Sequence, residues 1–302
     1  MRQQRISNVR ATAVRPSPVR IAPPRLDTKR DLERVERPRS ASSEATGKEA
    51  FGRAAGGSPV VSMLFAPGDR PGADQVRALA AVNPAFRVSF DPGEDAAPLT
   101  SSPPERWLEV LANGLPFDIQ GLAPGASQPL FPDTHQYALS NLNAGELEAI
   151  SLRPALAISS GRILPVLRSL AWLAAMLTEL PGVCAVGWHS ARALSAPDHF
   201  RGSVLRWVSG GAFPGLGLTA LVPTPDGALK SEGLALFTGQ ELRLAPELVR
   251  DRAAGARLAL RLLHWTVEHG RLQEPTRLPG PSGEPLLLEP LENGRLVNVS
   301  CG

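Results

Sequence analysis

Apolar residues recur at spacings of three and four from Val166 to Leu180, through Leu167, Leu170, Leu173, Ala174 and Leu177. That period places them on one broad helical face. Pro165 is tolerated at the start, because an N-terminal N–H has no intrahelical partner. Pro181 ends the run, since it lacks a donor and restricts the residue before it. The pattern then shortens to a strand from Val183 to Trp188. Arg168 is early in this helix and Glu179 late, an order that opposes the helix dipole, so packing must hold the element.

A second helical period covers Leu248 to Val267, with Leu258, Leu262 and Trp265 on its apolar side and Gly270 as its stop. Shorter helices are predicted over Ala73–Val82 and Asp198–Val208. Pro59–Ala66 is apolar enough for a central strand, and Phe86–Phe90 alternates as another. Trp107–Leu111 is too short to assign. Leu115–Leu122 reads as an edge strand because of Pro116. His135–Leu142 alternates, whereas Gly145–Pro154 reads as a helical turn or loop and Ala155–Ser159 as a short apolar run. The segment His189–Gly202 is polar and turn-like at its start. Leu216–Val222 and Ala228–Phe237 form a hairpin around Asp226-Gly227, and Glu241–Leu244 alternates briefly. Leu286–Leu288 and Arg295–Val299 pair through Asn293-Gly294. Strands and helices mix without a regular βαβ repeat. The expected class is α+β: a mixed, largely antiparallel sheet with two long helices, about 166–180 and 248–268, packed on one face.

Charge divides the chain of 302 residues. Residues 1–58 hold 13 Lys and Arg against 6 Asp and Glu, a net of 13 − 6 = +7. The whole chain has 32 against 29, so residues 59–302 hold 19 against 23, a net of −4. Residues 1–58 therefore read as a disordered basic Pro/Arg-rich tail, and 59–302 as a single α+β domain. The tail is a candidate arm for nucleic acid or an anionic surface; the acidic remainder is not. No apolar run is long enough for a membrane span, and no signal peptide is legible, so a cytoplasmic protein is expected.

Chemistry is sparse. The candidates are His135, Cys184, His189 and Glu232, with His199 a further histidine near them. Cys184 and His189 are five apart and face opposite sides if one strand holds both. Cys184 is expected to act as a small core residue. No ligand pair has metal spacing, so neither a metal nor a cofactor is expected. Glu232, Glu241 and Asp226 are expected in surface or salt-bridged roles. The glycines of Ser209–Gly217 lack the lysine–hydroxyl pair of a phosphate loop. Trp172, Trp188, Trp207 and Trp265 all sit in apolar contexts that suit a core.

Three stretches carry a resemblance to a bacterial domain family of unknown function. One is Leu167–Gly202, a helix, a strand ending in Gly and an aromatic, and a loop into a helix. The second is Glu232–Glu247, where Gly233, Leu234, Phe237, Gly239 and Glu241 match and Thr238 is an extra residue. The third is His135–Ser140. The resemblance spans roughly residues 60–300 and implies no activity, cofactor or catalytic residue. The leading expectation is a non-enzymatic cytoplasmic domain that binds another protein. The alternatives are a hydrolase-like enzyme with a His/Cys or His/Glu site, and a nucleic-acid-associated protein acting through the tail.

Overall fold

The structure, a computed structural model, describes residues 60–92, 107–132, 135–140, 142–155 and 164–302. The basic segment 1–58, and the nucleic-acid or anionic-surface contact expected of it, lie outside the described residues, as do most of 155–159.

Eight strands form the first sheet: β1 (Val61–Phe65), β2 (Phe86–Phe90), β3 (Trp107–Ala112), β4 (Leu115–Gln120), β5 (His135–Tyr137), β6 (Glu148–Pro154), β7 (Val183–Trp188) and β8 (Ala193–Ser195). Their spatial order is β2-β3-β4-β6-β1-β7-β8-β5, antiparallel except for β5 beside β8. Six strands form the second: β9 (Ala220–Pro223), β10 (Leu229–Glu232), β11 (Glu241–Leu244), β12 (Thr276–Pro279), β13 (Pro285–Leu291) and β14 (Leu296–Cys301). These run in the order β12-β13-β14-β11-β10-β9, with only β11 and β14 parallel. The longer helices are α1 (Ala73–Val82), α2 (Leu164–Leu177), α3 (Pro197–Val208) and α4 (Arg252–His269).

The class is the expected α+β, with mostly antiparallel strands and the two long helices α2 and α4. The strands are shared between two sheets, and each long helix packs on its own: α2 on the first, α4 on the second. Sequence pattern sets which residues face inward along each strand, but not which strands pair at long range.

β1 is central, as its composition requires. Val61, Met63 and Phe65 enter the main core, while Leu64 points into a smaller cluster on the other face with Ala185 and Leu194. A strand covered on both faces reads as a continuous apolar run. The same holds for β6, where Ala149, Ile150, Ser151 and Leu152 are all buried. That continuous burial hid β6 in the sequence, where Gly145–Pro154 read as a turn or loop. β4 is internal rather than an edge. Its ladder with β6 begins at Phe117, so Pro116 sits just before the point where a donor is needed. The β3–β4 turn is Asn113-Gly114, with Asn113 at φ 50°, as a two-residue hairpin of primed type demands.

Three other boundaries shift. The segment after Trp188 is ordered: a single 3₁₀ turn at His189–Ala191, then β8, then α3. The strand expected over Ala228–Phe237 stops at Glu232, and a helical turn occupies Ala235–Thr238. The strand expected over Leu216–Val222 starts only at Ala220, after an irregular turn. The other hairpin, β13–β14, pairs across Glu292-Asn293-Gly294 as expected.

The seam between the sheets is aromatic. Trp188 at the end of β7 stacks on Phe237 of the helical turn, with ring centroids 5.9 Å apart and planes 9° from parallel. Trp207 of α3 and Phe213 meet Phe237 edge-on at 6.2 and 5.0 Å. Such pairs add about 0.5–1.5 kcal/mol each beyond area burial. Trp188 and Trp207 are therefore core residues. Arg168, whose place in α2 opposes that helix's dipole, serves α3 instead. Its guanidinium donates to Trp207 O at 3.0 Å and Val208 O at 3.3 Å, and lies 5.2 Å from the Trp207 ring centroid. A cation at the last carbonyls of α3 is the favourable arrangement.

Candidate functional site at the sheet junction

β7 ends at Trp188, and the chain turns at His189. The backbone N–H of His189 donates to Val60 O at 3.0 Å, which holds the turn against β1. Ser62 is a lone hydroxyl in an apolar, fully buried strand, so it needs an internal partner. His189 provides it: Nε2 and Ser62 Oγ are 2.8 Å apart. The Phe131 ring lies 4.5 Å from the imidazole, centroid to centroid. Burial pushes the His189 pKa down to about 4, so the ring is neutral at neutral pH. Ser62 has no exposed surface, and its hydroxyl is out of reach of a substrate.

A second polar group lies nearby. Arg192, at φ 49°, closes the turn after His189, and its carbonyl accepts the backbone N–H of His135 at 3.2 Å. His135 opens β5, and its Nε2 lies 3.1 Å from Glu232 Oε2. Arg192 approaches the other oxygen of the same carboxylate at 3.6 Å. Glu232 thus stands between a histidine and a guanidinium. Their side chains are 21% exposed at His135, 29% at Glu232 and 46% at Arg192, so water reaches the group from one side. Tyr137 follows two residues along β5, on the face of His135. Burial, and then the Glu232 charge, push its hydroxyl pKa up to about 12.

Glu232 reaches that place because of the residues after it. Gly233 adopts φ +93°, and a Cβ there would lie 2.9 Å from the backbone of Ala191. Only glycine allows this approach between the sheets. Glu241 then locks the turn. Its carboxylate accepts the backbone N–H groups of Gly233 and Ala235, each at 3.0 Å, and of Leu234 at 3.3 Å, together with the Ser231 hydroxyl. Burial outweighs these donors and holds its pKa above the ordinary carboxylate value. Glu241 is therefore a cap for the Ala235–Thr238 turn rather than a surface acid. Asp226 does have a surface role: Thr224 and Arg243 hold its carboxyl down at about 2.

Cys184 is not part of this group. It sits near the start of β7, beside Val183, which pairs with Phe65, whereas Trp188 pairs with Val61 at the far end. Five residues of strand separate it from His189 by roughly 16 Å. Its thiol is half-buried and faces only Gly182 O, at 3.5 Å. His199 is elsewhere, in an apolar groove with Phe213 and His264. The structure thus brings together His135 and Glu232, pairs His189 with Ser62 instead, and leaves Cys184 apart. Sequence reasoning passed over Ser62, Arg192 and Tyr137. A hydroxyl inside a strand buried on both faces was a legible signal for Ser62; Arg192 and Tyr137 had none before the sheets were placed. Among the described residues, no group of three His, Cys, Asp or Glu side chains could hold a metal ion, and no helix is long and apolar enough to cross a membrane.

No protein-family model, curated protein or solved structure matches the chain.

Proposed function

We propose that residues 60–302 form a protein-binding domain without catalytic activity, located in the cytoplasm and belonging to the bacterial family it resembles. The observation that carries this reading is where the exposed apolar surface lies. Val82 is 78% exposed and Phe90 42%, with Leu291 at the end of β13 a separate site at 40%. Val82 ends α1 and Phe90 ends β2, an edge strand whose sole pairing among the described residues is with β3. An edge strand that ends in an exposed aromatic suits addition of a strand from a partner. Glu232 of the second sheet is meanwhile engaged with His135 and Arg192 beside the first, and His189 and Glu241 are each occupied within their own sheet, which supports a structural use for the polar junction.

The test is cross-linking of the full chain in cells, followed by identification of its partner and reconstitution with the purified pair. Phe90→Glu is expected to weaken the complex at least about tenfold, and Glu232→Gln to leave it unchanged. Equal affinity for the Phe90→Glu chain would sink the proposal. Cell fractionation checks the location.

A second reading rests on the 3.1 Å contact between His135 and Glu232 at a half-exposed position. A carboxylate that orients a histidine is the arrangement of a general base, and water could be the nucleophile. Turnover of ester or phosphoester substrates that disappears in both His135→Ala and Glu232→Gln would establish this reading instead.

A further inference from the structure

A cleft of about 460 Å³ opens on the second sheet, with Lys230 of β10, Arg271 past α4 and Arg295 before β14 around it. Its walls are tied together by one side chain. Gln240 is fully buried; its amide donates to Leu272 O at 2.8 Å and Gly294 O at 3.0 Å, and accepts from Leu272 N at 2.6 Å. Arg271 adds a bond to Gly294 O at 3.2 Å. The segments that carry Arg271 and Arg295 are thus joined before any ligand arrives.

The charges in the cleft are unbalanced. Lys230 is the register partner of Arg243 across β10 and β11, a like-charge pair that costs stability. Arg243 is neutralised by Asp226 and also bonds Asn298 at 2.7 Å. Lys230 and Arg295 have no ion-pair partner among the described residues. Two acids line the cleft, Glu241 and Glu292. The Glu241 carboxylate is occupied by the backbone N–H groups described above. Lys230, Arg271 and Arg295 against Glu241 and Glu292 leave 3 − 2 = +1. At the rim, Glu292 and Asn293 both take left-handed conformations, φ 52° and 57°. They belong to the turn that joins β13 to β14.

We propose that this cleft binds a compact phosphate-type anion, the phosphate or pyrophosphate group of a small molecule, through Lys230, Arg271 and Arg295. Guanidinium groups match phosphate oxygens in pairs, and an ammonium adds a point charge. A cleft lined by two guanidinium groups and an ammonium suits an anion with several acceptor oxygens. The cleft is in the size range of small-molecule sites.

Calorimetric titration of the full chain with pyrophosphate, inorganic phosphate and acetate tests this. Saturable binding is expected, tightest for pyrophosphate, with none for acetate. Lys230→Gln and Arg295→Gln should each weaken pyrophosphate at least about tenfold. Arg243→Gln, which removes a charge that is already paired, should change it by less than about twofold. Sedimentation with phosphatidic acid vesicles separates a headgroup from a soluble molecule as the source of the phosphate. Absence of saturable pyrophosphate binding to the unsubstituted chain overturns the proposal, and so does an equal loss in Arg243→Gln. Thermal melting of each variant shows whether the fold survives, and the unsubstituted chain decides the matter if one does not.

Discussion

Ser62 and His189 are 127 positions apart in the chain, and their side chains meet at 2.8 Å between the central strand and the turn beside it. The contact satisfies a hydroxyl in an otherwise apolar strand, and burial keeps the imidazole neutral. The unfolded histidine titrates near its ordinary value of 6.5, the folded one near 4. Between those values the unfolded chain binds a proton that the folded chain refuses, so stability rises with pH there. The contribution is complete above about pH 6.5 and is lost as pH falls towards 4. Allowing for the partial exposure of the ring, the loss is on the order of 2 kcal/mol. Chemical unfolding of the full chain and of His189→Asn at pH 7.5 and 5 should show a smaller loss on acidification in the variant. Equal losses would exclude His189 as the source.

Glu241 serves three backbone donors and a hydroxyl with one carboxylate. Glu241→Ala leaves those donors unsatisfied in a partly buried place, and a loss of about 3 kcal/mol is expected. Glu241→Gln keeps one acceptor oxygen and should lose less. Urea midpoints with unchanged slopes would measure both; a Gln variant as damaged as the Ala variant would contradict the capping role.

Gly233 and Gly239 separate backbone strain from crowding. Both are left-handed, at φ +93° and +81°, yet a Cβ at Gly239 meets nothing within 4 Å while one at Gly233 meets Ala191 at 2.9 Å. Gly239→Ala should cost about 1 kcal/mol, from conformation alone. Gly233→Ala must also push the two sheets apart, and a cost of several kcal/mol or failure to fold is expected. Similar melting temperatures for the two variants would show that the approach at Ala191 yields easily.

Arg168 caps a helix other than its own. Arg168→Met keeps the aliphatic packing but loses the bonds to Trp207 O and Val208 O and the cation over the Trp207 ring. A loss of about 1–2 kcal/mol is expected, with amide exchange rising in the last turn of α3. Exchange that rises uniformly over the chain would point to general loosening instead.

The sequence alone determined the features that depend on near neighbours. Leu164–Leu177 and Arg252–His269 are helices because their apolar residues repeat with the helical period; Gly270 ends the second, and the Pro181-Gly182 turn follows the first. The β13–β14 hairpin follows from Asn293-Gly294, and central β1 from its unbroken apolar run. The α+β class follows from these together. Of the candidate site, His135, His189 and Glu232 were legible as residue types that can carry chemistry, but the partner of each was not. Those partners depend on which strands pair and how two sheets pack, and both are set by contacts between residues far apart in the chain. The same contacts decided that Cys184 lies at the opposite end of its strand, that β6 is a strand at all, and that Arg168 answers to another helix. The local pattern carries information about a segment's own faces. The partner that each face meets is chosen by burial and hydrogen bonding across the whole fold, and only the tertiary structure records that choice.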